Sequence, residues 1–179
     1  IDTTNGLPNS GVPCHKLPQM ANKQPMREIF SEQEWPLLAF SFKSNLMNSY
    51  AIGSERLRMI KPYNPIQMHR QDAERFGIQH GDTIRIESPG GSVVGLALVS
   101  ESVIPGALGI EHGYGHKDLG ATPHVIDGVS QPDMPWMRAG ININDLGFQD
   151  PTRKVDGTWL EPISGASVRQ GLPVKVRRV

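Results

Sequence analysis

A single cysteine, Cys14, in 179 residues excludes an intrachain disulfide and any multi-cysteine metal or cluster site. No apolar run approaches the ~20 residues of a membrane-spanning helix, and no basic-then-apolar leader opens the chain, so no direct membrane insertion is expected. No charge of either sign predominates. Lys+Arg number 18 against Asp+Glu 18, which leaves no broad field and argues against nucleic acid and anionic membrane surfaces as partners. The local cation groups, Arg56, Arg58 and Lys61 in one place and Arg177 and Arg178 in another, read as solvated faces. No internal repeat occurs at a solenoid period.

What is present fits one soluble globular domain: 37% hydrophobic residues with short patterned segments between turn signals. The most informative stretch is residues 72–91, DAERFGIQHGDTIRIESPGG. Asp72 is placed to cap a short helix with Ala73 and Phe76 on its apolar face, and Gly77 to end it in the left-handed conformation. Gly81-Asp82 is a tight-turn pair. Thr83 to Glu87 alternates with period two, and Ser88-Pro89-Gly90-Gly91 loops into a second apolar run, Val93 to Val99. A short helix leading through a turn into a hairpin is a building block of small closed barrels.

Residues 1–34 are expected to be an extended lead-in from a preceding domain, because Pro8, Pro13, Pro18 and Pro25 interrupt any regular element. The chain opens on Ile in a polar stretch, IDTTNGLPNSGVP, and so reads as a piece cut from a longer protein at a linker, with the catalytic centre outside it. Residues 35–179 form the domain. Its first strand is Pro36 to Phe42, almost continuously apolar and expected to be buried on both faces. A short strand covers Pro65 to His69, another Ala107 to Glu111, and Leu172 to Arg177 closes the structure. Between His112 and Gly157 periodicity vanishes and glycines recur, which marks a long irregular excursion of the kind that is either functional or disordered.

The order of these signals resembles the C-terminal molybdopterin-dinucleotide-binding domain of the dimethyl sulfoxide reductase family of molybdenum oxidoreductases. The resemblance is carried by Asp72-Ala73 with Gly77-Ile78, Gly81-Asp82, Ser88 with Gly91, Pro105-Gly106, His112-Gly113 after a strand, Gly140-x-Asn142-x-Asn144, and Gly165 before the closing strand. Within the family the lead-in and the strand ending FSFKSNLMNSY are most like the tetrathionate reductase group, with arsenate reductases as near relatives. The resemblance implies a mainly β fold, a six-stranded double-psi β-barrel (aspartate-decarboxylase-like) with short helices. It implies molybdopterin guanine dinucleotide with molybdenum, shared with upstream domains, and an iron–sulfur cluster and metal ligand that lie only upstream. It further implies a periplasmic enzyme of anaerobic respiration, held at the membrane by partners: a membrane-anchor subunit together with an electron-transfer iron–sulfur subunit. No residue of this chain is expected to be catalytic or to bind metal.

A pterin is a flat heterocycle rimmed with donors and acceptors, so residues that hold it must replace the hydrogen bonds it loses to water. Asn142 and Asn144 share a face if GININ is extended, with Ile141 and Ile143 turned to the core; the alternative is that both asparagines satisfy loop backbone. Lys43, Ser44, Asn48 and Ser49 follow the first strand and offer an ammonium, hydroxyls and an amide, Lys43 as a point charge for a pyrophosphate; an ordinary polar loop is the alternative. His112 is a candidate cofactor contact, and Gly113 a place where backbone approaches a ligand or simply a turn. His112, His116, His124 and Asp118 invite a metal site, but Gly113 and Gly115 disfavour the helix that would align the histidines.

Two other classes compete. A stand-alone barrel enzyme that cleaves itself at a Gly-Ser bond has candidates in Gly53-Ser54 and Gly91-Ser92, and a non-enzymatic interaction module would use residues 112–157 to bind a protein; arsenate, thiosulfate or polysulfide are alternative substrates of the reductase class. The barrel interior is expected to hold Leu38, Phe40, Ile84, Ile86, Val94, Leu96, Leu98, Ile110 and Val176.

Overall fold

Period-two alternation, interrupted by glycine and proline turns, builds a closed six-stranded barrel in the computed structural model, which describes residues 17–118, 120–161 and 164–179. Cys14 and the start of the lead-in lie outside the described residues. The barrel strands are β1 (Leu37–Phe42), β2 (Ile66–His69), β3 (Thr83–Ser88), β4 (Gly91–Ser100), β5 (Ala107–Glu111) and β8 (Gln170–Arg178). Their order is β1-β5-β2-β4-β3-β8, and β8 returns to β1. β1 runs parallel to β5, with Leu38 opposite Ala107, and β2 parallel to β4, with Ile66 opposite Ala97; the remaining pairs are antiparallel. This is the double-psi barrel.

The helices are short: α1 (Met26–Ile29), α2 (Glu55–Ile60) and α3 (Arg70–Phe76). α3 ends as its sequence predicts, on Gly77 at φ 65°. Its start differs. His69 is the cap, its Nδ1 accepting from the Gln71 N–H at 3.1 Å, while Asp72 sits inside the first turn, buried, and accepts from the Gly106 N–H at 2.7 Å. Asp72 therefore ties helix α3 to the turn before β5 rather than capping it. Among the described residues no helix is long and apolar enough to cross a membrane.

The interior differs from expectation by one residue of register in two strands. Ile84, Ile86, Ile110 and Val176 point inward as expected, but β1 buries Leu37 and Ala39, not Leu38 and Phe40, and β4 buries Val93 and Ala97, not Val94, Leu96 and Leu98. Val94 and Leu96 are 40% and 38% exposed. β1 is likewise not buried on both faces, since its burial alternates. A one-residue shift exchanges the two faces of a strand, and in a nearly all-apolar segment the pattern alone does not choose between them. The barrel's width does. A Cβ on Gly95 would lie 3.1 Å from Ile66 Cδ1 and 3.3 Å from Ile141 Cγ2, so β4 presents its smaller residues inward.

The described part of the lead-in drapes over the barrel itself. Trp159 Nε1 donates to the Gln19 carbonyl at 2.8 Å, the Ala21 N–H donates to Asp150 Oδ2 at 2.8 Å, and Met20 and Met26 join the core. Phe30 meets Phe148 edge-on at 5.0 Å, and Phe148 stacks on Trp159 at 5.5 Å. The excursion after β5 has more order than its sequence predicts. It holds a hairpin, β6 (His124–Ile126) and β7 (Val129–Gln131), turning on Asp127-Gly128 with φ 51° and 78°, and two 3-10 turns, Pro135–Arg138 and Ile143–Leu146. Three-residue strands give too few repeats for periodicity to register.

The β3–β4 turn is a tight point. A Cβ on Gly90 would lie 1.9 Å from the Gly147 carbonyl oxygen, and backbone cannot yield as a side chain can. Gly90→Ala is expected to destabilise the 179-residue chain by about 1–3 kcal/mol, whereas Gly53→Ala, with nothing within 4 Å of its Cβ position, stays within ~0.5 kcal/mol. Equal melting temperatures for the two variants would contradict this packing.

Candidate functional site

Because β1 and β5 are parallel, their C-terminal ends leave the barrel on the same rim: Phe42 pairs with Glu111, and the His112 N–H donates to the Phe42 carbonyl at 2.8 Å. The two loops that follow therefore sit side by side, and they carry Lys43, Ser44, Asn48, Ser49, His112 and Gly113. Lys43 and Ser49 are exposed. Ser44 and Asn48 are committed to their own loop. Ser44 Oγ accepts from the Leu46 and Met47 N–H groups, both at 3.2 Å, and Asn48 Oδ1 from those of Tyr50 and Ala51 at 2.9 and 3.2 Å. These turns bury Met47 and Ala51 with Tyr114 in a second small core.

Behind His112 lies a buried polar cluster that sequence patterning placed in solvent. Arg58, from α2, is only 2% exposed. Its guanidinium lies 4.0 Å over the Tyr114 ring and donates to the Gly113 carbonyl. Glu111, also buried, pairs with Lys61, and the Tyr114 hydroxyl donates to the Lys61 carbonyl at 3.1 Å. Burial lowers the Arg58 pKa, against the opposing fields of Tyr114 and Glu111, and pushes Tyr114 up to about 12 with the help of Glu111.

Asn64 fastens the excursion to this rim. Its Nδ2 donates to the carbonyls of Glu111 (2.7 Å) and Ile141 (2.9 Å), while its Oδ1 accepts from the Ile141 N–H at 2.8 Å. The two loops touch so closely that glycine is required at both crossings. A Cβ on Gly140 would meet Asn64 Oδ1 at 2.3 Å, and one on Gly115 would meet the Asn142 nitrogen at 2.6 Å. The result is a groove of about 380 Å³ lined by Gly115, His116, Lys117, Arg138, Asn142 and Asp145, among others.

Ile141 and Ile143 are buried as predicted, but the segment is not extended throughout, because Asn142 caps the 3-10 turn that contains Asn144. Asn142 Oδ1 accepts from the Asn144 N–H at 3.0 Å. The two asparagines consequently open onto different grooves: Asn142 onto the one beside His116, Asn144 onto a larger one of about 890 Å³ with Phe30, Phe148 and Thr158.

Four side-chain atoms of this cluster are buried without a hydrogen-bond partner among the described residues: Arg58 Nε and Nη1, Glu111 Oε1 and His116 Nε2. The His116 pKa is lowered, chiefly by burial and also by Arg58, against a hydrogen bond to the Gly113 backbone and the field of Asp118. His112 is lowered by burial, then by Arg169, Lys43 and His116. At neutral pH the groove therefore offers the neutral imidazole of His116 and the amide of Asn142, beside Arg138 paired with Asp133 and Lys117 paired with Asp145, a donor and acceptor set that fits a flat heterocycle better than a metal ion. Among the described residues no three His, Cys, Asp or Glu side chains gather to hold a metal. Ser54 occupies the N-cap position of α2 without a side-chain cap bond, and Gly91-Ser92 is paired in register with Ser88 and Glu87.

Arg58, Glu111, Asn64, Tyr114 and Arg169 belong to this rim without having been expected there. An acid that ends an otherwise apolar strand, as Glu111 ends ALGIE, is the one local signal that pointed to it.

This barrel belongs to a known class. Residues 43–158 match the family model described as Molydopterin dinucleotide binding domain, and the chain belongs to that family of cofactor-binding domains of molybdenum oxidoreductases. It is 48% identical over 170 residues, 95% of its length, to a tetrathionate reductase subunit from Salmonella typhimurium, and 33% identical over 92 residues, 51% of its length, to the corresponding subunit from Archaeoglobus fulgidus. It spans 17% and 8% of those proteins. Acetylene hydratase from Pelobacter acetylenicus shares the fold at a TM-score of 0.62 and 19% identity, over 93% of this chain and 21% of that one.

The phenol of Tyr114 offers a direct check of the cluster. Its folded value of about 12 lies above the ordinary 10.0, so an unfolded chain releases this proton first. The stabilisation is complete below pH 10 and is lost as pH rises from 10 toward 12. In a tyrosinate absorbance titration one of the three tyrosines should ionise near 12, and Tyr114→Phe should remove that step and flatten the fall of melting temperature over the same range. Identical curves for the two proteins would refute the burial of the phenol.

Proposed function

We propose that this chain is the cofactor-enclosing wall of the catalytic subunit of a tetrathionate reductase. It closes over molybdopterin guanine dinucleotide and contributes binding, orientation and exclusion of water. When bound, that cofactor supplies two-electron transfer through its molybdenum. The reading rests on one observation above all: the unpartnered buried Nε2 of His116 in the lining of a groove that also holds Asn142, with the unpartnered atoms of Arg58 and Glu111 in the same polar cluster. Polar groups taken out of water without a partner cost about 1–3 kcal/mol each unless something else meets them. The apolar side chains around α2 support it as well. Tyr50 is 99% exposed, and Met59, Ile60 and Tyr63 are exposed with it, as befits a face covered by the rest of a longer subunit.

In this scheme Lys43, Ser44, Asn48, Ser49, His112, Gly113 and Asn142 face the cofactor side, Asn144 opens onto the separate groove of Phe148, and no residue of the chain breaks the substrate bond. The molybdenum ligand and the iron–sulfur cysteines come from the preceding part of the catalytic polypeptide. A membrane anchor and an electron-transfer iron–sulfur subunit complete the periplasmic, respiratory assembly.

Two measurements test this. The full-length subunit should contain molybdenum and guanine nucleotide and reduce tetrathionate with a reduced dye, while the isolated 179-residue chain should hold neither; stoichiometric cofactor on the isolated chain would overturn the shared-wall arrangement. Asn142→Asp keeps the oxygen that caps the 3-10 turn but loses the amide donor. It should lower cofactor content in the full-length subunit while melting of the isolated chain stays within ~0.5 kcal/mol, whereas Asn142→Ala should also cost about 0.5–2 kcal/mol of stability through the lost cap. Full cofactor content in Asn142→Asp would make this asparagine a cap alone.

A further inference from the structure

Three strand ends are laced together at the rim, and each carries a base. Lys43 follows β1, His112 follows β5 and Arg169 precedes β8. The Ser41 N–H donates to the Arg169 carbonyl at 3.2 Å, Gln170 Nε2 donates to the Ser41 carbonyl at 2.9 Å, and the His112 N–H donates to the Phe42 carbonyl at 2.8 Å. These bonds fix the three residues on one edge. Lys43 and Arg169 are exposed, and among the described residues neither has a carboxylate within ion-pair distance. The neighbouring acids are otherwise engaged: Glu111 is buried against Lys61, and Asp118 acts on His116. In a chain of zero formal net charge, this edge carries two cations with no paired carboxylate among the described residues. The imidazole of His112 feels Arg169 and Lys43, in that order, after its own burial.

We propose that Lys43, His112 and Arg169 form a clasp for one tetrahedral oxyanion group. Its guanidinium gives two parallel donors, its ammonium a point charge, and its half-buried imidazole a ring N–H, a set suited to phosphate or sulfonate oxygens. Arg169 is the member that gives the clasp its geometry, since a planar fork reads a tetrahedral face and an ammonium does not. The oxyanion has two sources with the same chemistry, a phosphate of the dinucleotide or the terminal sulfonate of a sulfur-oxyanion substrate. The clasp rests on the cofactor-wall function above and adds to it the ligand class of this edge.

The test uses the full-length subunit with Arg169→Gln, Lys43→Gln and the conservative Arg169→Lys, measuring molybdenum and guanine nucleotide per polypeptide, kcat and KM for tetrathionate, and melting temperature. If the clasp holds a phosphate, Arg169→Gln lowers cofactor content with KM unchanged in the loaded fraction. If it holds a sulfonate, KM rises by roughly tenfold or more with full cofactor content and little change in kcat. In either case Lys43→Gln gives a weaker effect of the same kind and Arg169→Lys recovers part of the loss. Full cofactor content with unchanged KM in both Gln variants overturns the clasp. So does a fall in melting temperature that accounts for every change and that Arg169→Lys does not reverse. A wild-type subunit without molybdenum would instead refute the cofactor-wall function on which the clasp rests.

Discussion

Taking the guanidinium of Arg58 out of water costs several kcal/mol, more than any one of its contacts returns, and the rim is organised around offsetting that cost. The Tyr114 ring lies under the cation, the Gly113 carbonyl accepts one of its N–H groups, and Glu111 supplies an opposing field. Each of these partners brings a demand of its own. Glu111 is buried and takes Lys61; Tyr114 needs an acceptor for its hydroxyl and finds the Lys61 carbonyl. The Gly113 carbonyl can face Arg58 because the residue adopts φ 99°, a conformation that glycine tolerates and a bulkier residue would not. One buried charge thus dictates the course of the loop from Glu111 to His116, and that loop forms one side of the groove.

The barrel's contribution is to make this arrangement rigid. Parallel pairing of β1 with β5 brings two strand ends to the same edge, and antiparallel pairing of β8 with β1 brings Arg169 to them. The excursion cannot float above the edge, because Asn64 uses three hydrogen bonds to hold its Ile141 peptide and the end of β5 together. A buried amide satisfied on both sides is a stiff joint, since losing one partner strands the others in a medium without water. The approach of the loops through Gly115 and Gly140 leaves no slack for a side chain between them.

How much of this was legible in the sequence depended on the range of the interaction concerned. The β3–β4 hairpin, the Gly77 stop and the strands around residues 66–69 and 107–111 are specified by neighbours a few positions apart, and they appear where the pattern puts them. Register in β1 and β4 is not local: Leu37 against Leu38, or Val93 against Val94, is decided by the width of a barrel whose other strands lie far away in the chain. Arg58 was illegible for the same reason. On α2 it stands beside Arg56, exposed, and only the distant Gly113 and Tyr114 separate their fates. Of the pterin-facing candidates, the loop residues Ser44 and Asn48 were visible as polar groups, but their commitment to their own backbone follows from turn geometry that composition does not reveal.

The division of the two asparagines carries the argument furthest. Had GININ been a strand, Asn142 and Asn144 would face one ligand together; the 3-10 turn over Ile143–Leu146 rotates Asn144 away to the groove of Phe148 and leaves Asn142 beside His116. That turn exists because Ile143 and Leu146 are both buried, three positions apart, a spacing that a 3-10 turn puts on one side and a strand does not. Core packing, not ligand contact, therefore chose the backbone here, and it left a single amide on the rim whose oxygen is already spent. What Asn142 has left to offer a guest is its Nδ2 donor, which complements the bare Nε2 of His116 across the same groove. Under the proposed function, a donor beside an acceptor suits a guest carrying both on one edge, and the packing of two apolar side chains sets that requirement within the groove.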